Sequence, residues 1–218
     1  IKVQKKKIWH KNHLKQQGEN MKQPPVLLVH GIDDNHTRLS PLRDFLTRKG
    51  LRHVSAMDIV PSDASIGFEG MAEQVKAAAE QLAASAGSGS INIVAYSMGT
   101  LAARYFLQRL GGKEWVRRFI SIAGPHHGTL MAYLRQNEGC RQMRPGSDFL
   151  RDLNHEPLPW GGVKVHSFWS PLDLMIIPPG TSRLAGAVNR LFWVAAHPLT
   201  VSDRWIMRAV WQVLSAPE

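Results

Sequence analysis

Residues 91–100 read Ile91-Asn92-Ile93-Val94-Ala95-Tyr96-Ser97-Met98-Gly99-Thr100, and this stretch decides the fold. Ile91 to Ala95 is a short apolar run, the pattern of a strand buried on both faces. From Met98 to Leu110 the apolar residues Leu101, Ala102, Tyr105 and Phe106 recur at helical spacing. A single serine lies where the two meet. At such a strand–turn–helix junction the backbone folds sharply back, and the serine hydroxyl stands above the sheet edge. The turn demands small residues two before and two after the serine, and Ala95 and Gly99 occupy those positions. The free N–H groups and dipole of the helix N-terminus favour negative charge beside Ser97. The competing reading is that Ser97 only caps a helix. The buried strand directly before it favours a nucleophile.

Outward from this turn, apolar runs alternate with amphipathic helices. Val26 to Val29 is a strand bounded by Pro25 and Gly31. Ser40-Pro41 reads as a helix start with Ser40 as the cap, and Gly50 ends that helix. His53 to Met57 is a second strand. Phe68 to Ala84 is a long helix with Phe68, Met71, Ala72, Val75, Ala79 and Leu82 on one stripe, stopped by the Gly/Ser run after it. Val116 to Ile122 and Val163 to Phe168 are further strands, Leu191 to Ala196 is an apolar run at the position of the last one, and a final helix runs from about Ser202 to Leu214. This alternation predicts an α/β fold, a mostly parallel sheet with helices on both faces. Residues 130–162 break the rhythm with mixed composition and several Gly and Pro, and read as a cap or lid insertion.

Acyl transfer through a serine needs two N–H donors aimed at the tetrahedral oxyanion. One is the residue after the nucleophile, Met98; the other comes from the loop after the earlier strand, where Val29-His30-Gly31-Ile32-Asp33 offers the Ile32 N–H beside a flexible Gly31. An ordinary turn with a structurally packed His30 is the alternative. Pro25-Val26-Leu27-Leu28-Val29-His30-Gly31-Ile32, Ala95-Tyr96-Ser97-Met98-Gly99 and Gly124-Pro125-His126-His127-Gly128-Thr129 together resemble bacterial lipases and esterases of the α/β-hydrolase superfamily, of the triacylglycerol lipase type. The resemblance extends from about Val26 to Leu214. It departs from the usual pattern at Ala95, where glycine is common, and at Gly124, where threonine is frequent. It implies that the Pro-His-x-Gly segment, with His126, shapes the wall beside the nucleophile.

In this fold the acid and the base follow the serine in that order. The acid is expected just beyond the strand 163–168, and Asp173 lies there, in Trp169-Ser170-Pro171-Leu172-Asp173-Leu174-Met175-Ile176-Ile177-Pro178. Asp148, Asp152 and Asp203 are rivals, the last expected at a helix start for capping alone. The base is expected on the loop before the last helix, which singles out His197 over His155 and His166. Substrate contacts are expected from His30, Gly31, His126, Leu174 and Met175. No His-Glu-x-x-His run or Cys/His cluster has metal-ligand spacing, so neither a metal nor a cofactor is expected.

The 218 residues suit one domain, with residues 23–218 as the hydrolase domain. The formal net charge is +10, but residues 1–25 hold seven lysines against Glu19, so +6 belongs to the tail and +4 to the rest. Residues 1–22 are expected to be a disordered basic tail, able to adhere weakly to an anionic membrane surface. Met21-Lys22-Gln23-Pro24-Pro25 reads like a natural start, so residues 1–20 are expected to be an upstream segment. Nucleic-acid binding is not expected, because that needs basic residues on a folded face with aromatics between them. The single Cys140 and the absence of an apolar run after the basic N-terminus fit the cytoplasm, with secretion as the alternative because secreted enzymes can also lack disulfides, and a monomer is expected. Apolar side chains in the insertion, such as Leu130, Met131, Leu134 and Met143, and the run Leu174 to Ile177 suit an acyl ester or lipid substrate. Three readings stand: a carboxylic ester hydrolase (lipase or esterase) working through an acyl-enzyme, an acyltransferase or thioesterase with the same triad, and an idle hydrolase fold used for binding.

Overall fold

The computed structural model describes residues 23–156 and 159–217. The predicted basic tail lies outside them. Six strands, β1 (Val26–Val29), β2 (Val54–Met57), β3 (Ile91–Tyr96), β4 (Val116–Ile122), β5 (Lys164–Trp169) and β6 (Val188–Leu191), form one sheet in the order β2-β1-β3-β4-β5-β6. Every pairing is parallel. The helices are α1 (Ser40–Arg48), α2 (Phe68–Ser85), α3 (Gly99–Arg109), α4 (Glu138–Gln142), α5 (Asp148–His155) and α6 (Arg204–Ser215). No described helix is long and apolar enough to cross a membrane.

Alternate side chains of the central strands feed two cores. Leu27, Val29, Ile91, Ile93, Ala95 and Phe119 point to one face, covered by α2, α3 and α5. Val26, Leu28, Val94, Tyr96, Ile120 and Ile122 point to the other, covered by α1 and α6. Burial on both faces explains why β1 and β3 read as unbroken apolar runs. The chain leaves β1 towards β2, then crosses back to β3 on the opposite side. Parallel sheets bind ligands at the carboxyl ends of strands where the order reverses in this way. Ile32 follows β1 and Ser97 follows β3, so the fold sets both at the switch point.

Three sequence expectations shift. Ser40 is not a cap: α1 is preceded by a 3-10 turn, His36–Leu39, whose Asn35 side chain accepts the Thr37 N–H. The last strand is Val188–Leu191, not Leu191 to Ala196. Beyond Leu191 the backbone peels away, with the Val194 N–H and C=O both bonded to the Ser170 hydroxyl. Phe192 and Val194 still alternate inward, which is why the run looks like a strand. Finally, the insertion 130–162 is not all cap. Helix α5 lies in the core beside α3, with Phe149 stacked on Phe68 at 4.9 Å and on Tyr105 at 5.9 Å between ring centroids. The guanidinium of Arg104, fully buried, donates to Leu153 O and Asn154 Oδ1 and so ties α3 to α5. Burial pushes the Arg104 pKa down to about 9, the charge of Arg109 contributing, which still leaves it a cation at neutral pH.

Because Phe149 belongs to the core, Phe149→Ala is expected to cost about 3–5 kcal/mol in urea unfolding. A residue of a detached lid would leave the midpoint unchanged.

Candidate active site

Ser97 has φ +52°, in the left-handed region that non-glycine residues seldom occupy. Three neighbours over-determine that conformation. The Ser97 N–H donates to Ile122 O at 2.9 Å, its carbonyl accepts the Thr100 hydroxyl at 2.6 Å, and the turn rests against β1. A Cβ on Gly99 would collide with the His30 carbonyl oxygen and lie 2.9 Å from Val29 Cγ1. A Cβ on Gly31 would lie 2.9 Å from Ser97 Cβ. Both glycines are therefore required by close approach. Ala95, in register with Val29 and Ser121, fits with its Cβ in the core.

Strung from this turn is a hydrogen-bonded chain of three buried side chains. Ser97 Oγ lies 2.8 Å from His197 Nε2, and His197 Nδ1 lies 2.6 Å from Asp173 Oδ2. Asp173 Oδ1 accepts the N–H groups of Met175 at 2.8 Å and Ile176 at 3.0 Å. That leaves Oδ2 to accept the Nδ1–H of His197, so the lone pair on Nε2 faces the serine hydroxyl. The His197 backbone is pinned in turn: its carbonyl accepts the hydroxyls of Thr200 at 2.7 Å and Tyr96 at 3.3 Å. Tyr96 also stands beside the imidazole, ring centroids 5.0 Å apart. Burial holds the Tyr96 phenol well above its ordinary pKa, so it stays a neutral donor. Such a chain lets an imidazole take the hydroxyl proton while the carboxylate steadies the imidazolium.

Among the described residues, neither the Ile32 nor the Met98 N–H has a hydrogen-bond partner. The adjoining cavity, about 180 Å³, is lined by both residues and Ser97, with Met131, Ala132, Cys140 and Met143 among its apolar walls. Thr129 sets one side of it, its hydroxyl donating to Met175 O at 2.7 Å and accepting the Ile177 N–H at 3.0 Å.

The sequence-predicted contacts divide. Met175 lines the cavity and Gly31 abuts the serine. His30 does not reach it: the ring is fully buried, Nδ1 donates to Gly31 O at 2.7 Å, and Nε2 accepts the Ile59 N–H at 2.9 Å. It anchors the loop after β1 instead. His126 is equally buried, 2.7 Å from Ser121 Oγ, with Nδ1 unpartnered among the described residues. Leu174 is 73% exposed and outside the cavity, because the bonds from Met175 and Ile176 to Asp173 turn it to solvent. The rival acids have other partners: Asp203 caps α6 through Trp205 and Ile206, Asp152 pairs with Arg109, and Asp148 with Arg151. His155 is exposed and His166 sits within β5. The sequence reading missed Thr129, the Tyr96 and Thr200 hydroxyls on His197, and an ion pair between Asp33 and Arg135. Those of Thr129, Tyr96 and the Asp33–Arg135 pair join distant segments, whereas Thr200 lies three residues after His197 and Tyr96 adjoins the serine, so these two carried a local signal.

With this geometry in hand, comparison with known proteins is decisive on kinship. Residues 25–144 match the palmitoyl protein thioesterase family, more than half the chain. The chain belongs to that family. It is accordingly a hydrolase, and the family match spans Ile32, Ser97 and Met98 but ends before Asp173 and His197. No curated protein matches it. The fold resembles the mature lipase BlEst2 of Bacillus licheniformis, with a TM-score of 0.70 and 16% identity over 89% of this chain and 93% of that one. It also resembles Aspergillus fumigatus lipase B, TM-score 0.78 and 18% identity over 90% and 54% of the two chains. A pyrethroid hydrolase from Sphingobium faniae gives 0.60 and 15% over 89% and 98%. Identities this low establish the α/β-hydrolase fold and no more.

Three imidazoles are depressed below their ordinary pKa of 6.5: His126 strongly, by burial and then the Arg104 and His127 charges; His127 by burial and Arg104; His166 by burial and Arg118. As pH falls through 6.5 the unfolded chain binds protons there that the folded chain refuses, so stability declines on the acid side. The thermal midpoint is expected to be level between about pH 7 and 8 and to fall from about pH 6.5 downward, with a shallower fall in His126→Gln.

Proposed function

We propose that the protein is a serine hydrolase that cleaves carboxylic esters of aliphatic acyl groups through an acyl-enzyme. The observation that carries this reading is the chain Ser97 Oγ–His197 Nε2 at 2.8 Å and His197 Nδ1–Asp173 Oδ2 at 2.6 Å, at the mouth of an apolar cavity. In the first step Ser97 Oγ attacks the ester carbonyl while its proton passes to His197 Nε2. Asp173 remains ionised and stabilises the imidazolium. The tetrahedral oxyanion receives the free N–H groups of Ile32 and Met98. Collapse breaks the bond to the alcohol, which leaves with the proton from His197. Water, deprotonated by the same imidazole, then attacks the acyl-Ser97 carbonyl and releases the acid.

A second reading, a thioester in place of the oxygen ester, is favoured by the family match. The acyl half, which would occupy the cavity, is common to both, and the leaving group differs.

Turnover of p-nitrophenyl esters from two to sixteen acyl carbons, with the matching acyl thioesters, separates the two. Esters are expected to be cleaved, and Ser97→Ala to lower kcat by about 10⁶. Asp173→Asn is expected to lower it by about 10⁴, because the wrong histidine tautomer then faces the serine. Thioesters cleaved at least tenfold faster than the matched esters would overturn the ester preference. Undiminished activity in Ser97→Ala would overturn the serine mechanism.

A further inference from the structure

Asp33 directly follows Ile32 and has φ +55°, the same left-handed region as Ser97. Both its carboxylate oxygens are held by Arg135, Nη1 to Oδ1 at 3.0 Å and Nη2 to Oδ2 at 2.5 Å. Both residues line the cavity beside Ser97, although they are 102 positions apart in the chain. The two-pronged geometry is the strong form of a guanidinium–carboxylate pair.

Arg135 is itself fixed from behind. Arg144 donates to its carbonyl at 3.0 Å and to Gln136 Oε1 at 2.9 Å, and its guanidinium lies 4.9 Å from the Tyr133 ring centroid. Beyond it, Asn137 Nδ2 donates to Asp63 O at 2.6 Å and the Gly139 N–H to Ala64 O at 3.0 Å. The Asp33 N–H donates to Ser62 O in that same stretch at 2.9 Å. Residues 62–64 therefore brace both members of the pair. At the upstream end of the loop, His30 holds Gly31 O and the Ile59 N–H. The Ile32 N–H thus lies on a short loop clamped at both ends.

Half-exposed ion pairs add little to global stability. Placement of an oxyanion donor is a different matter, since catalysis depends on sub-ångström geometry. We infer that Arg135 is a positioning residue: by holding Asp33 it keeps the Ile32 N–H aimed at the developing oxyanion. This rests on the reading of Ile32 as an oxyanion donor given above. The contribution is specific to the transition state, so it belongs in kcat and not in KM.

The test is a double-mutant cycle on Arg135→Gln and Asp33→Asn in the full chain, using a soluble p-nitrophenyl ester and an alkyl boronic acid that forms a tetrahedral anion on the serine. Each single variant is expected to lower kcat about tenfold, a fraction of the 10²–10³ that loss of a whole donor costs. KM should stay within about twofold, boronate affinity should fall in step with kcat, and the double variant should be no worse than either single one. An unchanged thermal midpoint in each variant excludes a folding defect. Unchanged kcat overturns the inference. A rise in KM alone overturns it too, because the pair would then be only a wall of the cavity, and so do losses that multiply in the double variant. Ser97→Ala, run alongside, keeps the two levels apart. An inactive Ser97→Ala with fully active Arg135→Gln refutes positioning alone, whereas an active Ser97→Ala refutes the serine mechanism and this inference with it.

Discussion

The left-handed backbone of Ser97 is the constraint on which the rest of the structure depends. A serine pays a conformational penalty there, and the fold supplies the compensation. Ile122 O receives its N–H, Thr100 clamps its carbonyl, and Gly31 and Gly99 let β1 approach closely enough to hold the turn. The same turn lifts Oγ above the sheet, opens the helix at Met98 and leaves its N–H without a partner among the described residues. The loops after β5 and β6 then bring Asp173 and His197 to meet it. Remove the turn and these side chains have no common focus.

The sheet and the site were legible in the sequence to different depths. Strands β1, β3 and β4 are readable because both faces are almost wholly buried, and buried strands announce themselves as apolar runs, whereas the partly exposed β2 and β5 are legible from their place in the alternation with helices. The last strand lies earlier than the apolar run suggests, because Phe192 and Val194 alternate inward although β5 ends at Trp169, whose carbonyl takes the Phe192 N–H, and Val194 bonds the Ser170 hydroxyl instead of a strand. Chain order and loop position in this fold narrow the choice to Ser97, Asp173 and His197, and the structure brings Ser97 and Asp173 each within hydrogen-bond distance of His197. The histidines were harder. His30 and His126 sit within motifs beside the serine, yet both are buried, bonded to Gly31 O and the Ile59 N–H and to Ser121 Oγ respectively, and neither lines the cavity. Proximity in sequence says nothing about which way an imidazole faces.

What the insertion does was hidden for a related reason. Its composition is irregular, but its parts have separate duties. Helix α5 fills the core against Phe68 and Arg104, while the turn at Leu130–Leu134 and the following Arg135 form the roof over the serine. One stretch thus joins stability to chemistry. The buried Arg104 guanidinium links them further, since it bonds α5 and its charge adds to the burial that depresses the neighbouring His126.

Covalent trapping tests directly whether Ser97 is the nucleophile. The protein would be treated with an alkyl fluorophosphonate, digested, and its peptides mapped by mass spectrometry. The account predicts one adduct, on the peptide containing Ser97, formed rapidly in the native protein and lost in Asp173→Asn or His197→Ala. An adduct on another residue, or none on an intact fold that still hydrolyses esters, would contradict it.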